Sequence, residues 1–267
     1  MPRQPNKRLL VPRTRILVAV TRHEDYELRC ARDYGVGAEV QTFSWPGRLQ
    51  GDYKAAVQRM ARRVARLKGP IGCHGPFLDT THCSQDPEIR KVVRMRYLQG
   101  LDIAEILGAR YMVLHSQYNP IIKVKGYADI YHNESMAFWP EILEEAKRRG
   151  VSLYLENMFD DSPEPLRRLL AEVGPAGARL CLDVAHAHVF SGLDLSEWVD
   201  AFKPYLAHIH LNDCNGEYDD HLGVGQGALD WTDVFGLLKT VKQPLTCALE
   251  TGRHTAASLR YLGLSRA

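Results

Sequence analysis

Short apolar runs alternate with longer stretches of helical periodicity along almost the whole chain. Ile16–Val20, Glu39–Phe43, Ile71–His74, Tyr111–His115, Val151–Glu156, Arg179–Asp183, Leu206–Leu211 and Leu245–Glu250 read as strands. Glu24–Tyr34, Tyr53–Leu67, Pro87–Leu107, Glu134–Arg149, Pro163–Val173, Leu195–Phe202, Trp231–Thr240 and Thr255–Leu262 read as the helices that follow them. Pro87 suits a first helical turn, and Gly150 stops the helix before it. Strands alternating with helices imply a parallel sheet. Eight such units in a 267-residue chain predict an α/β fold, a single (β/α)8 TIM barrel with its active site at the C-terminal face of the strands. The rival, a doubly wound open sheet, needs a Gly-rich turn after the first strand, where Val20-Thr21-Arg22-His23 stands instead. No compositional break divides the chain, so residues 1–14 read as a basic arm and residues 15–267 as the barrel domain.

Composition removes several classes of partner. Lys+Arg total 34 and Asp+Glu 32, a formal charge of +2, so nothing demands a polyanionic partner. No run approaches the ~18 apolar residues of a membrane span. The apolar stretch Ile16–Val20 is too short for a signal-peptide core, and the chain reads as cytoplasmic. Six cysteines are spread without a CxxC pair, as expected of reduced thiols rather than a disulfide framework. The uneven count is histidine, with 11 residues. Imidazole is the commonest metal ligand and the usual proton carrier near neutral pH.

The histidines and acids fall at one topological point. The third to eighth strands end at His74, His115, Glu156, Asp183, His210 and Glu250. In a parallel barrel all strand C-termini open on one face, where active sites are built. Any one of these residues alone is more simply a cap or a turn residue. Six consecutive strands ending in a metal-binding side chain are not a set of independent accidents. Alternation places Gly72, Val113, Tyr154, Cys181, His208 and Ala248 inside as well, with His208 as a buried supporting histidine rather than a ligand. His186, Asp219 and His221 lie just past the strand ends, and Asp220 competes with Asp219 for one role. Imidazole with carboxylate suits a divalent ion such as zinc or manganese, and nine ligands suit up to three ions. Glu156 and Glu250 are the candidate acid and base.

Weaker signals surround this set, each with a plainer alternative. Gly223-Val224-Gly225-Gln226-Gly227 and Arg253 follow the seventh and eighth strands, where barrels often bind phosphate; the plain reading is a flexible turn. His188 and Arg253 are candidate substrate contacts, and His188 is equally a surface residue. Trp45 either walls the mouth or packs a loop. His23, His82, His132 and His254 read as solvated or loop residues, with His82 and His254 near the mouth. Arg59, Arg62, Arg63 and Arg66 form a solvated helix stripe.

The segments His74-Gly75-Pro76-Phe77, Leu114-His115, Leu155-Glu156-Asn157, Leu182-Asp183-Val184-Ala185-His186, His210-Leu211-Asn212-Asp213, Asp219-Asp220-His221 and Leu249-Glu250-Thr251 resemble the xylose-isomerase-like TIM barrels. That superfamily includes sugar isomerases and epimerases and the abasic-site enzyme endonuclease IV. The resemblance covers about residues 15–252. From the endonuclease it implies one zinc at His74, His115 and Glu156. It implies a second at Glu156, Asp183, His210 and Glu250, and a third at His186, Asp219 and His221. From the ketose epimerases it implies a single ion at Glu156, Asp183, His210 and Glu250. The runs after His74 and His115 differ from those of the endonuclease. The expectation is therefore a metal-dependent isomerase or epimerase of a sugar or sugar phosphate. The alternative is a multinuclear zinc phosphodiesterase acting on abasic-site DNA, with DNA a partner only in that case.

Overall fold

The eight apolar runs pair with one another in chain order. The computed structural model describes residues 11–174 and 177–267. In it β1 (Ile16–Val20), β2 (Gly37–Val40), β3 (Ile71–His74), β4 (Tyr111–His115), β5 (Ser152–Glu156), β6 (Ala178–Asp183), β7 (Leu206–Leu211) and β8 (Thr246–Leu249) form one closed parallel barrel. Closure is made by Ile16 beside Cys247 and Leu17 beside Ala248. The outer ring holds α1 (Glu24–Tyr34), α2 (Tyr53–Val64), α3 (Pro87–Leu107), α4 (Tyr127–Arg148) and α5 (Glu164–Val173). It continues with α6 (Val184–Phe190), α7 (Leu195–Phe202), α8 (Trp231–Leu238) and α9 (Thr255–Tyr261). Among the described residues, no helix is long and apolar enough to cross a membrane. Residues 1–10 of the expected basic arm lie outside the described residues.

Local signals set the helix limits. Asp86 caps α3 by accepting from the Glu88 amide at 2.8 Å, Pro87 opens it, and Gly108 ends it at φ +67°. Asp194 and Glu197 form a reciprocal capping box on α7. Three expectations need correction. Helix α4 begins at Tyr127, not Glu134, because Gly126 adopts φ +82° and Tyr131 is already buried in its second turn. Helix α6 directly follows β6; its first turn is nucleated by the Asp183 carboxylate, which accepts from the Ala185 and His186 amides at 2.8 Å each. Strand β2 ends at Val40, because the chain turns there with the Ser44 amide donating to the Gln41 carbonyl. Glu39 is therefore inside a strand rather than at its start.

Two apolar layers follow from strand alternation. The larger lies between sheet and helices and contains Trp139, Trp198, Tyr97 and Phe202, all fully buried. The smaller fills the barrel with Leu17, Tyr111, Val113, Cys181 and Ala248, with Tyr154 against them. Gly72 makes room in that layer, since a Cβ there would fall 2.2 Å from the Tyr111 ring. All six cysteines are buried and free.

His82 and His132 are not solvated. His82 is fully buried: Trp139 Nε1 donates to its Nε2 at 3.2 Å, and Ser135 Oγ lies 2.9 Å from the same nitrogen. His132 is buried 3.0 Å from Glu172. Burial lowers the His82 pKa from 6.5 to about 3. Protonation therefore favours the unfolded chain. The stability this group contributes is complete above pH 6.5 and is lost as pH falls toward 3. His82→Gln keeps an acceptor for Trp139 and removes the titration. Urea unfolding at several pH values should show the wild type losing about 1.4 kcal/mol per pH unit more than the variant within that window. Parallel pH profiles for the two proteins would refute the assignment.

Candidate active site

Strand parity aims alternate side chains into the barrel, and the last inward residue of each strand surfaces at its mouth. There Glu156 and His210 form the centre. Three carboxylates converge on the Nδ1 of His210: Glu156 at 2.8 Å, Glu250 at 3.2 Å and Asp183 at 4.0 Å. The other Glu156 oxygen lies 3.1 Å from His74 Nε2 and 3.4 Å from His115 Nε2. Asp219 Oδ2 lies 3.3 Å from His186 Nε2 and 3.2 Å from His221 Nε2. Asp220 instead accepts from the Asn215 amide, so the structure groups Asp219 with the histidines.

Backbone carbonyls orient the imidazoles. Nδ1 of His74, His186 and His221 faces the carbonyls of Gly75, Asn157 and Glu250 at 2.9, 2.9 and 3.0 Å, leaving each Nε2 for the mouth. Asn212 Nδ2 donates to Asp183 Oδ2 at 2.7 Å, and Asn157 bonds the backbone of Asp183 in both directions. His221 sits at φ +50°, a left-handed conformation that a non-glycine residue adopts under constraint.

Burial and close charges shift the groups of the mouth in opposite directions, and the neighbouring carboxylates raise His74, His186 and His210. Burial pushes the Glu156 carboxyl up, but the imidazoles of His210, His115 and His74 outweigh it, and its pKa falls well below the usual range. Burial and the neighbouring carboxylates leave Asp183 and Glu250 raised, despite His210. Burial disfavours the charged form of His221, yet Asp219 and Glu250 raise it to about 9. For His115 burial dominates, and its pKa drops to about 4. A bound cation would stabilise the charged forms of the buried Asp183 and Glu250.

Among the described residues, five groups have ligand atoms close enough to hold an ion: His74, His115 and Glu156; Glu156, Asp183 and His210; His186, Asp219 and His221; and, reaching into the floor, Glu39, His210 and Glu250, and Cys181, His208 and His210. Glu250 joins the second through its 3.2 Å contact with His210. At the mouth the donor set is imidazole and carboxylate, and Asp219 Oδ1 is buried without a partner. These residues fit a divalent metal.

The chain matches the xylose isomerase-like TIM barrel family over residues 28–262. It belongs to that family. The TTHB071 protein of Thermus thermophilus, in a structure soaked with ZnCl2, is 31% identical, with 93% of this chain and 96% of that one covered at TM-score 0.74. A D-tagatose 3-epimerase-like protein shares the fold at 19% identity and TM-score 0.77, covering 93% and 96% of the two chains. D-psicose 3-epimerase of Ruminiclostridium cellulolyticum is 25% identical over 173 residues, 60% of this chain and 56% of its own. An uncharacterised protein of Methanocaldococcus jannaschii is 25% identical over 185 residues, 66% and 62% respectively. The chain thus spans less than two thirds of these last two relatives.

This xylose isomerase-like barrel has a charged floor that the strand-end pattern missed. Glu39 is fully buried under His210, with Oε1 3.1 Å from His210 Nε2 and Oε2 3.0 Å from His208 Nε2. Tyr111 donates its hydroxyl to Glu39 Oε2 at 2.8 Å, and His208 Nδ1 lies 2.6 Å from Thr246 Oγ1. Burial would keep Glu39 neutral, but His210 and His208 hold its pKa well below the usual value. The available signal was polar residues at alternate positions, Glu39 and Gln41, beside an apolar run. Gln41 donates to Glu39 at 2.9 Å and also to Glu250, linking floor and mouth.

The mouth opens into a cavity of about 780 Å³. Trp45, half-exposed, lines it with its ring 5.2 Å from Phe77, edge to face. Arg253 and His254 line it too. His188 is exposed on α6 and is not among the lining residues. The Gly-rich loop wraps Asp213, which takes the amides expected to meet a phosphate. The Gly225 and Gly227 amides and Trp231 Nε1 donate to Asp213 Oδ2 at 3.1, 2.9 and 2.7 Å, and the Leu229 amide donates to Oδ1 at 3.2 Å. A fixed carboxylate occupies the place where a phosphate was expected. A Cβ on Gly227 would fall 2.2 Å from the Cys214 carbonyl, so only glycine closes this wrap.

Glu39→Ala should destabilise the metal-free protein by about 3–5 kcal/mol, because it strands two buried imidazoles and a buried phenol. Chemical denaturation measures this. A change below ~1 kcal/mol would show that Glu39 does not hold the floor.

Proposed function

We propose that this barrel is a divalent-metal-dependent sugar isomerase or epimerase. The observation that carries the reading is the convergence of Glu156, Asp183 and Glu250 on one nitrogen of His210. Buried like charges gather in this way where a cation completes the set. Glu156, Asp183, His210 and Glu250 would hold the ion. When bound, it acidifies the proton beside a substrate carbonyl by stabilising the charge that develops on oxygen. Glu156 and Glu250 stand on β5 and at the end of β8, and both line the cavity. One takes the proton from carbon and the other returns it, so the substrate leaves with altered configuration or carbonyl position. Trp45 and Phe77 offer an apolar wall to the substrate's C–H faces. The epimerases among the barrel's relatives support a sugar as substrate.

A second reading rests on the two flanking groups, His74 with His115 and His186 with Asp219 and His221. With all three groups filled, the mouth suits multinuclear phosphodiester cleavage of abasic-site DNA, as in endonuclease IV.

Metal analysis of protein purified without added metal separates the two. About one ion per chain, zinc or manganese, is expected for the isomerase. Near three ions together with nicking of abasic-site DNA would overturn it. Glu156→Gln and Glu250→Gln should each lower turnover of a sugar substrate by ~10²–10⁴-fold. Unchanged turnover in both variants would remove the acid–base assignment.

A further inference from the structure

The cavity has a positively charged side that the metal centre does not use. Its lining includes Arg22 and His23 from the turn after β1, and Arg253 and His254 from the turn after β8. The two strands are neighbours in the closed barrel, so these turns stand side by side. They lie close together: even a Cβ added to Gly252 would lie 3.7 Å from the His23 ring.

Both turns are fixed from behind. Glu27, fully buried, accepts from the Thr21 amide and hydroxyl at 2.7 Å each, which holds the chain just before Arg22. The Tyr26 hydroxyl donates to the Arg253 carbonyl at 3.1 Å and accepts from the Ala256 amide at 3.3 Å. The guanidinium groups are left over. Among the described residues, neither Arg22 nor Arg253 has an ion-pair partner or a side-chain hydrogen bond. The nearby carboxylates Glu24 and Asp25 are both engaged by Arg63. Of the cavity's acidic lining residues, Glu156, Asp219 and Glu250 belong to the metal set, and Asp220 accepts from a backbone amide. The Gly-rich loop cannot take an anion, since the Gly225, Gly227 and Leu229 amides are consumed by Asp213.

Two exposed, unpaired guanidiniums line the same cavity as the metal-type centre from turns on neighbouring strands, and two such groups suit an oxyanion. Resting on the isomerase reading, we infer that the substrate is an anionic sugar whose phosphate or carboxylate is held by Arg22 and Arg253, with His23 and His254 beside them. The polyol end then reaches Glu156 and Glu250.

The test is calorimetric titration of the metal-loaded protein with D-fructose, its 1- and 6-phosphates, a keto-uronic acid and inorganic phosphate. At least one charged sugar should bind at least about tenfold more tightly than fructose. A phosphate preference assigns a phosphorylated substrate, and a uronate preference a sugar acid. In the double variant Arg22→Gln/Arg253→Gln the preference should fall toward one, and inorganic phosphate should lose about tenfold in affinity, with metal content unchanged. Equal binding of neutral and charged sugars to the wild type would overturn the inference, as would a preference that survives in the variant. Solvent-deuterium exchange beside the sugar carbonyl reads the isomerase chemistry separately. Exchange into neutral sugar without charge preference keeps the isomerase and removes the anion site. Variant-sensitive anion binding without exchange into any sugar keeps the site and removes the isomerase.

Discussion

Three carboxylates aimed at one imidazole nitrogen are the constraint around which this barrel is arranged. Glu156, Asp183 and Glu250 approach His210 Nδ1 from three different strands, inside a protein where unpaired charge is costly. Each has further partners: Asp183 has Asn212 and the first turn of α6, Glu250 has Gln41, and Glu156 has His74 and His115. Beneath them Glu39 fixes the far nitrogen of His210 and ties it to His208 and Tyr111. The apolar layer below, from Leu17 to Ala248, keeps water from this floor. A closed parallel barrel is suited to the task because it brings residues distant in sequence to one rim without bending any strand.

The same economy appears in the walls. Asp213 organises the long turn after β7 by accepting its amides, so a loop rich in glycine becomes a fixed wall. Glu27 does the corresponding work for the turn after β1. Both are buried carboxylates satisfied by backbone amides and one side-chain donor each, the Thr21 hydroxyl and Trp231 Nε1, a local solution that needs no cation. The metal-type centre differs in this respect. Its acids face one another and imidazoles across a shared His210.

Much of the site was legible because the barrel converts a linear signal into a spatial one. The residues His74, His115, Glu156, Asp183, His210 and Glu250 each close an apolar run, and parity carries each to the same face. Glu39 escaped notice because the second strand begins two residues earlier than its apolar content suggests, at Gly37. A shift of that size changes whether an acid opens a strand or points into the barrel from its middle. His82 and His132 escaped for another reason. A loop histidine and a helix histidine carry no mark of the neighbours that bury them, here Trp139 and Glu172.

The sequence by itself determined the eight strand–helix units, their closure into eight parallel staves and the chemical character of the rim. These depend on hydrophobic period and on residue type at strand ends, both of which are local properties. Only the tertiary structure decided which acids share a histidine, that Asp219 rather than Asp220 faces His186 and His221, and that the glycine loop closes on Asp213. It alone also brought Arg22 and Arg253 to one cavity, because turns more than two hundred residues apart come together only when the first and last strands pair. Pairing distances and leftover hydrogen-bond donors are properties of packed side chains, and no spacing rule along a chain encodes them.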